Sequence, residues 1–191
     1  MVAVFLAGEL GSDRFGAGLR DALDRAGSSA DVVTSPDFAS PEENAVRRGL
    51  LDEHRGYVRR EGLFGGFPDD VVWDWVALTP SEIADVKYID WSYWLEVSGG
   101  TRRPGDAADR IRAGLEAYDV PNDGFHELAE ELRRGVAWSP LIVVSALPAG
   151  DNIVLEGHGR LTGMALAREA LPLEIEVLRG VSPGMTAWYL Y

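Results

Sequence analysis

The sequence contains no cysteine in its 191 residues. That excludes disulfides, thiolate nucleophiles and Cys-ligated zinc. It holds a single lysine, Lys87, followed by Tyr88. A P-loop needs a lysine followed by Ser or Thr, so this chain has none. Positive charge is therefore almost all guanidinium, and it is scarce: 18 basic against 31 acidic residues, a net charge of −13. That balance argues against DNA as a partner, because a face made for phosphate backbones carries excess Lys and Arg. No apolar run approaches the roughly 20 residues of a membrane span, and no secretory leader pattern opens the chain. The expectation is a cytoplasmic protein with no membrane partner.

What is present suffices for a core, since 46% of residues are hydrophobic and the length suits one domain with an extension. A Gly-, Pro- and aromatic-rich stretch around residues 62–70 sets a soft boundary. Residues 1–70 form an N-terminal extension of unknown role, and residues 71–191 form the main domain. Val2 to Leu6 is expected as a short buried strand. Gly8 and Gly11 turn it into a helix capped by Ser12 and ended by Gly27, the opening of an α/β unit. Ser40, Pro41 and Glu43 mark a second helix start, with Glu43 completing a capping box. His54 is expected on that helix's solvated face.

In the main domain, strands are expected around Val71 to Leu78, at "SPLIVVSAL", at "IVLE" and at "LEIEVLRG". Thr79-Pro80-Ser81-Glu82 opens a short helix. Further helices are expected from Asp106 to about Tyr118, from a cap near Asn122 to Gly135, and from about Gly159 to Ala170. In the helix that follows Asn122, Phe125, Leu128 and Leu132 share one face, which leaves His126 to solvent. The segment "YIDWSYWLEV" is dense in aromatics. Trp91, Tyr93 and Trp94 read either as core or as the wall of a substrate pocket, with Asp90 and Glu96 interleaved and Trp138 a further wall candidate.

The stretch Glu156-Gly157-His158-Gly159-Arg160 sits where a strand turns into a helix. A helix N-terminus presents free N–H groups and a partial positive charge, which favour an anion. Two glycines allow close backbone approach. An arginine in the first helical turn opposes the helix dipole, by about 0.3–1 kcal/mol, unless an anion is shared with it. Glu156 can hold Mg²⁺ through phosphate or accept a proton. The competing reading is a plain turn with Glu156 and Arg160 paired on the surface.

The order of a helix ending in Gly135, the strand after "WSP", a turn, "IVLEGHGR" and a helix is similar to the nucleotide-binding core shared by the ParB N-terminal domain, sulfiredoxin and the free serine kinases. In the kinase branch the corner reads Asp-Gly-His-x-Arg; here it is Glu156-Gly157-His158-Gly159-Arg160. The likeness spans roughly residues 72–180 and leaves the first 70 without a counterpart. It implies an α/β (α+β) fold with a small mixed sheet and flanking helices, extended at the N-terminus by an α/β segment. It further implies ATP or ADP with Mg²⁺, phosphates held by Gly157, His158, Gly159, Arg160, Thr162 and Ser139, and catalytic acids at Glu156, Asp90 and Glu96. Glu for Asp lengthens the corner acid by one methylene. Sulfiredoxin chemistry is excluded with the cysteines. Only about twenty residues follow the last expected helix, too few for the DNA-reading helices of ParB.

Three functions remain open on these residues. One is a nucleotide-dependent phosphotransferase acting on a small polar metabolite. Another is a nucleotide-binding regulatory or interaction module without chemistry. In the third, the corner holds a non-nucleotide anionic substrate.

Overall fold

The computed structural model describes residues 1–12 and 14–191. The chain divides into two compact units, residues 1–67 and residues 68–191.

The first unit is helical. Its helices are α1 (Val2–Leu10), α2 (Gly16–Arg25), the short α3 (Asp31–Thr34) and α4 (Pro41–Arg55). The strand expected at Val2 to Leu6 is thus the first turns of α1, and Gly8 lies inside that helix. A short apolar run fits a buried strand and a buried helix equally, and neighbours decide between them. Here Ala3, Phe5 and Leu6 point into the unit's interior. The next helix starts at Gly16, with Phe15 in place of Ser12 as its N-cap; of the segment expected to open it, Asp13 lies outside the described residues.

Helix α4 begins at Ser40, whose Oγ accepts from the Glu43 amide at 3.2 Å, with Pro41 next. The reciprocal half of the capping box is absent, because the Glu43 carboxylate accepts instead from the Asp37 amide at 2.9 Å and from Arg47 at 2.8 Å. His54 is not on a solvated face. Its Nε2 meets the carboxylate of the buried Glu9, which Arg55 also binds, and its ring stands edge-on to Phe15. A buried carboxylate needs partners, and α4 supplies two cationic or polar ones at adjacent positions.

The second unit holds a four-stranded mixed sheet, with β1 (Val72–Leu78), β2 (Leu141–Ser145), β3 (Ile153–Glu156) and β4 (Ile175–Val181) in the spatial order β1-β4-β2-β3. β4 runs antiparallel to β1 and parallel to β2, and β2 forms an antiparallel hairpin with β3. All five residues of β2 are buried, as a central strand's continuous apolar run predicts. The start of β3's outer side is bridged by Lys87, whose amide donates to the Asn152 carbonyl and whose carbonyl accepts from Val154, both at 2.8 Å.

The helices of this unit are α5 (Pro80–Asp85), α6 (Ser92–Ser98), α7 (Pro104–Arg112), α8 (Asp123–Arg133) and α9 (His158–Leu166). α5 opens with a full capping box between Thr79 and Glu82. α7 ends six residues before Tyr118, since Gly114 turns the chain at φ +89° and a 3-10 turn follows over Ala117–Asp119. α8 and α9 pack closely. A Cβ on Gly163 would lie 2.8 Å from Leu128 Cβ and 3.3 Å from the Ala129 amide. Gly163 therefore lets two helices approach closely, a use of a small residue that needs no ligand. Leu78, Ile83, Val97, Ile111, Leu141, Val143, Leu161 and Val177 belong to one apolar cluster of this unit.

Among the described residues, no helix is long and apolar enough to cross a membrane.

Candidate functional site

The corner is built as its spacing suggests. β3 delivers Glu156, Gly157 is the N-cap of α9 at φ +100°, and Arg160 is the third residue of the helix. Gly157 is required twice over. Its backbone is left-handed, and a Cβ there would overlap Leu141 Cδ2 and lie 3.1 Å from Arg160 Nη2. As a glycine, the N-cap residue brings no side-chain cap to α9, whose N-terminus carries the partial positive charge of the helix dipole.

The guanidinium of Arg160 turns back along the strand ends. It donates to the Ser139 carbonyl, to the Pro140 carbonyl at 3.5 Å and to the Glu156 carboxylate. Both side chains of this pair are 12% exposed. The carboxylate offsets the misplaced charge of an arginine at a helix N-terminus, and the carbonyl contacts pin the chain where it enters β2. Ser139 thus takes part through its backbone. Thr162 points inward, accepting a 2.8 Å bond from the Tyr88 hydroxyl and donating to the His158 carbonyl at 2.9 Å. Burial raises the Tyr88 phenol pKa above its ordinary value.

Around His158 lies a run of rings. The Trp94 indole stacks on the His158 imidazole with centroids 5.0 Å apart and on Tyr88 at 4.6 Å. Tyr93 meets Trp94 edge-on at 5.0 Å and stacks on Tyr118 at 6.4 Å. Phe125 of α8 closes the inner side, 6.1 Å from Trp94. Tyr118 is 62% exposed and sits at φ +54° beside Asp119 at φ +56°. Bulky side chains avoid this left-handed region, and such outliers gather where ligands are held.

Of the residues singled out in sequence, the structure joins Glu156, Gly157, Ser139 and Arg160 in one contact set, and Tyr93, Trp94, His158 and Thr162 in an adjoining one. Others face elsewhere. Trp91 is exposed. Trp138 donates its indole N–H to Glu131 of α8 at 3.0 Å. Glu96 approaches Arg110 of α7 at 3.8 Å. Asp90 faces Arg102, whose pKa burial lowers and the Asp90 carboxylate raises. Arg102 itself ties the chain end to the unit, donating to the carbonyls of Tyr88 and Tyr191 at 2.7 Å each. Tyr88, Tyr118 and Phe125 belong to the ring set, although sequence gave them no role there; an aromatic at each end of the "YIDWSYW" stretch was the available signal. Among the described residues, no three His, Asp or Glu side chains gather as a metal cluster. No family model, no curated protein and no solved structure matches the chain.

Proposed function

We propose that the corner from Glu156 to Arg160 holds the phosphates of a nucleotide, ATP or ADP, and that the chain uses it in phosphoryl transfer to a small polar acceptor. The observation that carries this reading is the α9 N-terminus. It has a left-handed glycine and no side-chain cap, with a guanidinium and a carboxylate paired beside it. An incoming phosphate competes with Glu156 for Arg160, whose planar fork suits phosphate oxygens. The exchange frees the Glu156 carboxylate at the site where charge arrives. Trp94 over His158, and the exposed Tyr118 on Tyr93, supply flat surface for a base.

Mg²⁺ fits this donor set in the way it serves many phosphate sites, through one carboxylate and the phosphates themselves. Glu156 is the residue that would hold it, and the ion would neutralise developing phosphate charge. Asp90 and Glu96 face Arg102 and Arg110, whereas Glu156 is paired with the corner's own Arg160 and is the acid at hand there. Those same contacts favour a second reading, in which the corner binds nucleotide without chemistry and serves regulation or interaction.

Calorimetric titration with ATP, ADP, CTP and GTP, each with Mg²⁺, tests the proposal. Wild type is compared with Arg160→Lys and Glu156→Gln. We expect binding that Arg160→Lys weakens by about ten-fold or more, the loss of a charge-assisted bidentate contact, and turnover that Glu156→Gln abolishes. Binding without turnover of any acceptor selects the second reading. Absence of binding by all four nucleotides rejects both; pyrophosphate then separates a plain anion site from a structural turn.

A further inference from the structure

A second site is suggested at the opposite end of β3 from the corner. There a cleft of about 430 Å³ opens beside the turn joining β2 to β3. Its walls are polar. β4 contributes Arg179, the start of α7 contributes Arg103, the turn contributes Asp151 and Asn152, and α5 contributes Glu82 and Asp85. The volume lies within the range of small-molecule sites.

Two of these side chains are incompletely bonded. Arg179 donates Nη1 to the Pro148 carbonyl at 3.2 Å, yet its Nε is enclosed without an acceptor. Asn152 Oδ1 is enclosed without a donor, although the residue's backbone is fixed by its bond from Lys87. Enclosed polar atoms without partners are rare in folded proteins, and each calls for an explanation. The Pro148 contact takes one side of the guanidinium and leaves the Nε–Nη2 edge. That edge offers two parallel N–H groups, the geometry that grips a carboxylate.

The charge around the cleft is balanced. Arg103 pairs with Asp85 at 3.0 Å, Lys87 pairs with Asp151 at 2.5 Å, and Glu82 is held by the Thr79 amide and hydroxyl, each at 2.8 Å. A bare anion would meet the carboxylates of Glu82, Asp85 and Asp151. A bare cation would meet Arg103 and Arg179. A ligand carrying both charges meets a complement for each.

We propose that this cleft binds a small zwitterion of the α-amino-acid type, a free amino acid or a dipeptide. Its carboxylate lies on the Nε–Nη2 edge of Arg179, and its ammonium group lies against Asn152 Oδ1 and the Asp151 carboxylate. Both recognition atoms are closed from solvent, so the ligand enters as the exposed turn around Leu147 to Asp151 shifts outward. The site is independent of the corner and does not rest on the nucleotide reading.

The test is an NMR titration of the full chain with glycine, L-alanine and glycylglycine. Acetate and methylammonium serve as half-ligands. We expect the zwitterions to move the backbone amides of residues 149–152 and the Arg179 Nε–H. Arg179→Lys, which keeps the charge but loses the fork, and Asn152→Ala should each weaken binding by about ten-fold, the loss of one hydrogen bond to a charged group. If Arg179→Lys fails to fold, Asn152→Ala decides alone, because it leaves the backbone bond to Lys87 intact. No shift by any zwitterion at millimolar concentration overturns the proposal. So does acetate acting as strongly as glycine, which marks a plain anion site, or unchanged affinity in the variants.

Discussion

Asp119 carries an exposed side chain on a left-handed backbone at φ +56°. Glycine adopts that conformation without a Cβ penalty. Asp119→Gly is therefore expected to stabilise the chain by roughly 0.5–1 kcal/mol, read as a raised denaturant midpoint at unchanged slope. Tyr118, its neighbour, is the contrasting case. Glycine there would relieve the backbone but remove the ring stacked on Tyr93, so gain and loss oppose each other. At this scale the sequence was readable where a residue's chemistry acts through its own backbone, as at Gly157. It was unreadable where a partner decides. Nothing adjacent to His54 announces Glu9 of α1, and nothing adjacent to Arg160 announces the Ser139 carbonyl.

Among the elements, α9 is fixed by what it packs on. Gly163→Ala places a methyl 2.8 Å from Leu128 Cβ, against backbone at 3.3 Å, whereas the closest neighbour of a Cβ on Gly159 is the flexible Leu128 Cδ1 at 3.4 Å. We expect Gly163→Ala to cost about 1–3 kcal/mol by overpacking. Gly159→Ala should be near neutral or stabilising, since Ala gains up to about 1 kcal/mol of helix propensity. Paired thermal melts check both.

The cap of α5 gives a pH-dependent prediction. The Thr79 amide, then its hydroxyl, hold the Glu82 carboxyl below its ordinary pKa. A lowered folded pKa contributes stability above the ordinary carboxylate range that is lost as pH falls through the folded value. Glu82→Gln should flatten the acid limb of the stability curve. Its difference from wild type should vanish at the lowest pH, where Glu82 is neutral too. The strands and the capped helices were legible because alternation, turn residues and Ser/Thr–Pro starts are local signals. α1 was not, because a short apolar run has no period of its own. The end of α7 at Arg112 was not legible, because one glycine, Gly114, outweighed an otherwise helical pattern.

For the whole molecule, the two edges of the sheet differ. β3 is bridged by Lys87 at its first residues, whereas no strand pairs with the outer side of β1 among the described residues. β1 exposes Val72 at 63% and Trp75 at 50%, with Asp74 between them. A charge in mid-edge is a common guard against strand-to-strand association, and a net charge of −13 adds repulsion between copies. Asp74→Val is expected to bring concentration-dependent association, visible by light scattering, strongest near the sequence pI of about 4.6. The ladder of backbone bonds thus has one partly bridged rail and one left without a strand. Any strand joining this sheet, from a partner or another copy, would be laid beside β1, and the single carboxylate of Asp74 would be the first thing it had to accommodate.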